Sequence, residues 1–215
     1  MRAGGVAAAL AALLASRAAR ADPSNETLVL VGAGLALPTY ALGVSLHEGS
    51  HALAAELVGA SVDELHVFPP GTDPHAHVFR FGWTYVHGLR SDRAKEFFYL
   101  APKLTDTLLL GGFAALALTG AWPRDRDSQL ALTVGATGLW VDFAKDVIGF
   151  SPNDDVTKAF ALFGWTGWRE VPARLGYALI DVGLACVVAR GYLRTFGTPA
   201  DAAMPLVIPL VRTAF

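Results

Sequence analysis

The chain has 215 residues, of which 53% are hydrophobic and only 17% are charged, and its net charge is -2 at pH 7. Soluble globular domains carry about 25% charged residues, and the mean hydropathy here is +0.41. The apolar content excludes a disordered chain, the single cysteine (Cys186) excludes a disulfide scaffold, and the balanced charge offers no basic field for nucleic acid.

Residues 1–21 contain a short apolar run flanked by arginines. The run is too short to span a bilayer and is typical of the apolar part of a signal peptide. Ala19-Arg20-Ala21 resembles a cleavage site, but the arginines close to it favour an uncleaved helix. We therefore expect a signal peptide or an extra N-terminal helix at 1–21, and a single integral membrane domain at 22–215.

Four apolar stretches follow this segment. The first, Thr27 to Leu46, has no charged residue over 20 positions, about the number needed to cross the hydrocarbon core. Its helical pattern continues to Val58 and ends at a glycine. The other three are Phe97–Gly120, Leu130–Phe150 and Leu175–Ala189, the last extendable to Val171 and Tyr192. The pattern predicts an all-α polytopic membrane protein with four or more transmembrane helices.

The segment at about 61–93 differs from these stretches. Turn residues at 69–74 separate two runs rich in β-branched and aromatic residues. From His77 to Val86, aromatic residues alternate with other types, a period typical of a strand. We predict a membrane-associated β-hairpin after the first core helix.

The most specific motif is His47-Glu48-Gly49-Ser50-His51, an HExxH sequence at the end of the first uncharged run. Histidines four positions apart share one face of a helix and can bind one zinc ion. Glu48 then lies beside the ion as the general base. Ionisable residues in a spanning helix are costly and indicate function, so we predict His47 and His51 as metal ligands and Glu48 as the catalytic residue.

A zinc ion that keeps a position for water needs a third protein ligand. Five carboxylates lie in or beside apolar stretches: Asp106, Asp142, Asp146, Asp154 and Asp155. Spacing alone does not choose among them. Charges inside these stretches are also expected to pair with each other, Lys103 with Asp106 and Lys145 with Asp142 or Asp146.

The stretch from His47 to Ala60 resembles the active-site helix of the site-2 protease family of intramembrane zinc metalloproteases. Leu100-Ala101-Pro102 is similar to the Gly-Pro signature of a later helix in that family. The stretch Asp146–Asp154 resembles the family pattern N-x-x-P-x-P-x-x-D-G, with one proline and the final aspartate kept. Asp146 replaces the family asparagine and Asp155 replaces the glycine, so the chain looks like a divergent, minimal member.

The resemblance implies that Asp154 is the third zinc ligand, with the adjacent Asp155 as the alternative. Asp142 and Asp106 remain alternatives because they lie in apolar stretches. It implies one Zn²⁺ and hydrolysis of peptide bonds in membrane-embedded or membrane-adjacent substrates, with the strand at 78–86 as the substrate-binding segment. The expected partners are membrane lipid and a membrane-protein or peptide substrate, and the expected location is a bacterial-type plasma membrane. The alternative is a catalytically inactive metal-binding membrane protein that acts as a scaffold or binds a partner.

Overall fold

The computed structural model describes residues 22–197. These residues are mostly helical, with five α-helices, a short 3₁₀ helix and four strands. The helices are α1 (Asn25–Leu57), α2 (Asp92–Leu118), α3 (Arg126–Ile148), α4 (Asp155–Leu162) and α5 (Val171–Phe196), and the 3₁₀ helix is Gly167–Glu170. The predicted signal segment and the apolar tail lie outside the described residues.

Helix α1 carries the HExxH motif near its C-terminal end. Ser24 caps the helix, since its side chain accepts a hydrogen bond from the backbone N–H of Thr27. The helix ends at Leu57, and Gly59 follows with a φ of 76°, a conformation that glycine adopts without steric cost. The prediction of one long helix that ends at this glycine is confirmed.

The segment after α1 forms the predicted hairpin. Strand β1 (Ser61–His66) pairs antiparallel with β4 (Trp83–His87), and the short strands β2 (Gly71–Thr72) and β3 (Phe79–Arg80) pair with each other. The run predicted as one strand is therefore two, broken between β3 and β4. A Cβ atom on Gly82 at this break would lie 2.7 Å from a Val44 methyl carbon and 2.8 Å from Glu48 Cγ. The chain bends there because its backbone rests directly on α1.

The long helices pack as a bundle in which α2 and α3 each contact all of the other long helices. Helix α3 contacts α1, α2 and α5, while α2 also contacts α1, α4 and α5. The main apolar cluster joins α2, α3 and α5 through six buried side chains, Leu110, Phe113, Ala117, Ala136, Phe143 and Val188. This packing holds the C-terminal part of α1, the hairpin and the start of α4 together at one end of the bundle.

Three helical segments are long and apolar enough to cross a membrane: Asn25–Leu57, Asp92–Leu118 and Gly167–Phe196. They match the first, second and fourth predicted stretches. The third stretch corresponds to α3, which is not among the three and carries two aspartates and a lysine in its second half. The described residues thus form a mostly helical bundle with a small hairpin, compatible with a membrane location.

Candidate metal centre

The HExxH residues lie on the last three turns of α1, facing the start of α4. The His47 and His51 rings lie edge to face with centroids 5.1 Å apart, and His51 is 4% exposed. Both rings point their Nε2 atoms at one oxygen, Asp155 Oδ2, at 3.5 Å from His47 and 3.1 Å from His51. Two ligands on a tetrahedral zinc ion lie roughly 3.3 Å apart, given bond lengths of about 2.0–2.2 Å.

The other ring nitrogen of each histidine is held by a group that can only accept a hydrogen bond. His47 Nδ1 lies 2.9 Å from Asp142 Oδ2, and His51 Nδ1 lies 2.8 Å from the backbone carbonyl oxygen of Phe98. Both Nδ1 atoms therefore carry a proton and donate it. In the neutral rings, both Nε2 lone pairs then face Asp155, the orientation that a shared cation requires.

Asp155 is the first residue of α4, so the place where this helix begins fixes the position of its carboxylate. Oδ2 faces the histidines, and Oδ1 accepts a hydrogen bond from Lys158 Nζ at 3.3 Å. Burial raises the pKa of Asp155, but the hydrogen bonds that it accepts when the Nε2 atoms of His47 and His51 carry protons outweigh burial and hold the pKa below its usual range. A cation at this position would replace those protons and meet the carboxylate as an anion, its ligating form. One ligand atom from each of the three residues lies within 4.8 Å of the others.

The structure places Asp154, the first choice for the third ligand, away from the histidines. Asp154 caps α4, since Oδ1 accepts the backbone N–H of Val156 at 2.9 Å. Its carboxylate also lies against Gly149, where a Cβ atom would collide with it. Burial and the neighbouring Asp146 raise the Asp154 pKa to about 6. Asp155, predicted only as an alternative, is the carboxylate that the fold brings to the site.

The other two alternatives lie behind the histidines, and neither joins the ligand group. Asp142 contacts His47 through Nδ1, on the side of the ring away from Asp155. Asp106 pairs with Lys103 at 3.1 Å, and Lys145 pairs with Asp142 at 2.5 Å, so both predicted charge pairs are confirmed.

Glu48 lies beside the ligand group and is positioned by the hairpin. It is 9% exposed. The Thr84 hydroxyl, on β4, lies 2.8 Å from Glu48 Oε2 and 3.0 Å from the Glu48 carbonyl oxygen, and it can donate to either. The close approach of Gly82 to α1 places this strand where its hydroxyl reaches the carboxylate.

A buried carboxylate, Asp73, ties the hairpin together. Its Oδ1 accepts the backbone N–H groups of His75 and Ala76, the Tyr85 hydroxyl donates to it, and Arg80 pairs with its Oδ2 at 3.0 Å. Burial raises the Asp73 pKa, but these donors lower the pKa by a larger amount. The pKa of Asp73 therefore lies below its usual value. Burial and the bond to Asp73 raise the Tyr85 pKa to about 12.

A cavity of about 990 Å³ leads to the site. It runs along α1 from Leu28 to Glu48 and is walled by α3, the end of α5 and the hairpin segment 78–82. Most of its lining is apolar, and His47, Glu48, Asp142 and Asp155 lie at its polar end. The described residues thus leave an elongated, mostly apolar cavity that ends at the candidate site.

Sequence reasoning missed two contributors to the site and assigned a different role to a third. Thr84 and the Phe98 carbonyl carry no motif, and a backbone acceptor leaves no signal in side-chain identity. Asp142 was noticed only as an alternative ligand. Its position within an apolar helix, three residues before Lys145, predicts a buried and paired carboxylate but does not distinguish a metal ligand from a partner of a ligand.

The chain matches no protein-family model, no curated protein and no solved structure.

Proposed function

We propose that the chain is an integral membrane zinc metalloendopeptidase of the HExxH type, as its resemblance to the site-2 protease family implies. His47, His51 and Asp155 would hold one Zn²⁺, and Glu48 would act as the general base. The substrates are membrane-embedded or membrane-adjacent peptides. The proposed location is a bacterial-type plasma membrane.

One observation carries this proposal. Two imidazole Nε2 atoms, with both Nδ1 protons already committed elsewhere, face the same ionised oxygen of Asp155. Lone pairs that face an anion repel it unless a proton or a cation lies between them. A divalent cation satisfies all three atoms at once and leaves both rings neutral, which is the ligating form.

The charges around the site also favour a cation. Four carboxylates and three lysines contact one another directly or through His47: Asp106, Asp142, Asp146 and Asp155 with Lys103, Lys145 and Lys158. Glu48 adds a further carboxylate beside them. Uncompensated charge is costly in a bundle surrounded by hydrocarbon. By formal charge, with the histidines neutral and the carboxylates ionised, the network carries an excess of negative charge that a bound Zn²⁺ would offset.

The proposed mechanism is metal-assisted hydrolysis of an amide. A zinc ion at the site would lower the pKa of a bound water to about 7 and polarise the scissile carbonyl. Glu48 takes the proton of the attacking water and passes it to the leaving amine. Thr84 donates to Oε2, which leaves Oε1 to exchange that proton.

The apolar cavity and the hairpin are the proposed substrate-binding surfaces. The segment 78–86 passes over Glu48 and offers backbone hydrogen-bonding groups to an extended substrate by β-augmentation.

We further propose four membrane spans, with α3 as the fourth. The C-terminal half of α3 meets the C-terminal end of α1 at His47 and the N-terminal half of α2 at Lys103. Helix α3 therefore runs back across the bundle between its neighbours.

Metal content is the first test of the proposed site. The purified full chain should bind about one zinc ion per molecule, and His47→Ala should abolish this binding because one of three ligands is gone. His87→Ala is the matched control, since His87 is exposed on the hairpin and pairs only with Asp63 among the described residues. A wild-type chain that takes up no zinc, even after reconstitution, would contradict the proposal.

Catalysis is tested separately with Glu48→Gln. This variant should keep its zinc and lose cleavage of membrane-embedded peptides, because the amide cannot accept the water proton. Glu56→Gln, two turns further along the same helix and exposed, should cleave like the wild type. If the wild type binds zinc but cleaves no member of a broad panel of transmembrane peptides, the scaffold alternative replaces the peptidase.

A further inference from the structure

Behind His47, between α2 and α3, lies a buried cluster of charges centred on Lys103. Lys103 is 5% exposed, and its Nζ contacts three carboxylates: Asp106 at 3.1 Å, Asp142 at 2.9 Å and Asp146 at 2.8 Å. Nζ also donates to the backbone carbonyl of Asp142 at 2.7 Å. The lysine therefore fixes both the backbone and the side chain of Asp142.

Asp142 is the one carboxylate of this cluster that touches a histidine. Its Oδ2 accepts from His47 Nδ1 at 2.9 Å and from Lys103, and its Oδ1 accepts from Lys145 Nζ at 2.5 Å. Both oxygens are engaged on the side of the ring away from Asp155. The side chain is therefore held as a partner of His47.

We propose that Asp142 is a positioning residue, which Lys103 holds in place so that His47 keeps its Nε2 directed at the metal position. This inference rests on the proposed zinc site. An imidazole can rotate and exchange its two nitrogens, and a carboxylate on Nδ1 fixes both the tautomer and the ring orientation. His51 does not need such a residue, because a backbone carbonyl already holds its Nδ1.

The test compares zinc affinity in the full chain, by competition with a chromophoric zinc chelator. Asp142→Ala should bind zinc about 10–100-fold more weakly, the usual loss when such a partner is removed. Asp142→Asn should recover most of the affinity, since its amide oxygen still accepts from Nδ1. Asp106→Asn is the matched control: it removes a carboxylate from the same lysine but touches neither histidine, and it should bind zinc like the wild type.

Thermal unfolding shows whether Asp142→Ala is folded, and Asp142→Leu, which fills the space of the removed carboxylate, provides a second variant; Lys103 keeps Asp106 and Asp146 as partners in both. Asp142→Leu should show the same weakening of zinc binding. The inference is overturned if Asp142→Ala and Asp142→Leu bind zinc like the wild type, or if Asp106→Asn weakens binding as much as they do. A wild-type chain that binds no zinc overturns the proposed function as well, so the two failures are distinguishable.

Discussion

Asp154 and Asp155 are adjacent, chemically identical residues to which the fold gives different surroundings. Asp154 is the cap of α4, so its side chain turns back to the helix N–H groups. Asp155 is the first helical residue, and its side chain projects from the helix start towards α1. The position at which α4 begins therefore decides which of the two carboxylates faces the histidines.

This difference gives a direct prediction about the third ligand. Asp155→Ala should lose stoichiometric zinc, whereas Asp154→Ala should keep it and lose only helix-cap stability of about 1 kcal/mol. Zinc content and thermal unfolding of both variants, purified alike in detergent, provide the check. Retention of zinc in Asp155→Ala together with its loss in Asp154→Ala would reverse the assignment.

At the residue scale, the sequence predicts the two histidines and Glu48 but not their third partner. The HExxH spacing is local, so a single helix suffices to bring its residues to one face. The third carboxylate comes from another element, and both aspartates suit the N-terminus of a helix equally well. The choice depends on the exact start of α4, the feature that sequence patterns define least well.

At the element scale, the hairpin approaches α1 through a glycine. A Cβ atom at position 82 would lie 2.7 Å from Val44, 2.8 Å from Glu48 and 2.9 Å from the His66 carbonyl oxygen, all closer than normal contacts. The backbone of this segment can therefore rest on α1 only because no side chain intervenes.

We expect Gly82→Ala to destabilise the protein by roughly 1–3 kcal/mol, the usual cost of overpacking. It should also reduce peptide cleavage, since Thr84 moves away from Glu48 with the strand. Gly71→Ala is the control, because nothing lies within 4 Å of a Cβ atom there. Thermal unfolding and cleavage rates are the measurements, and equal behaviour of the two variants would show that the approach is unimportant.

The pH response of the hairpin should depend on Asp73. Its pKa in the folded chain lies below the value of about 3.9 in an unfolded one. Its contribution to stability is therefore present above about pH 4 and lost as the pH falls through the folded pKa. Hydrogen exchange of the hairpin amides, corrected for the intrinsic pH effect on exchange, should increase in acid.

Asp73→Asn should exchange faster near neutral pH and lose most of this acid dependence, since it has no carboxylate to protonate. Asp63→Asn removes a partly exposed carboxylate of the same hairpin and should keep the wild-type profile. If Asp73→Asn and the wild type respond identically to acid, another group controls the hairpin.

Sequence periodicity predicts the helices better than it predicts the strands. The long apolar runs became α1, α2, α3 and α5, because burial over many turns depends little on any one residue. The alternation at 77–86 is equally regular, yet the strand breaks at Gly82. The break arises from contact with α1, a tertiary effect that the strand's own sequence does not encode.

At the scale of the whole molecule, the proposal that α3 is a fourth span predicts a membrane topology. If all four long helices cross the membrane, the 119–125 connection lies on one side, and the hairpin and the 149–154 connection lie on the other. We expect Ala121→Cys and Asn153→Cys, each in a Cys186→Ala background, to react with an impermeant thiol reagent from opposite sides. Both positions are exposed and Cys186 is the only native cysteine. Labelling of both from the same side would exclude α3 as a span.

The order of synthesis gives the metal centre a further property. His51 and Asp155 are separated by 104 positions, and the chain between them includes the hairpin, α2 and α3. A nascent chain that has inserted α1 therefore has two histidines but no carboxylate to complete the group. Under the proposed function, hydrolytic capacity would arise only after most of the polypeptide has left the ribosome and packed. Truncated or half-inserted products would then lack the complete ligand group.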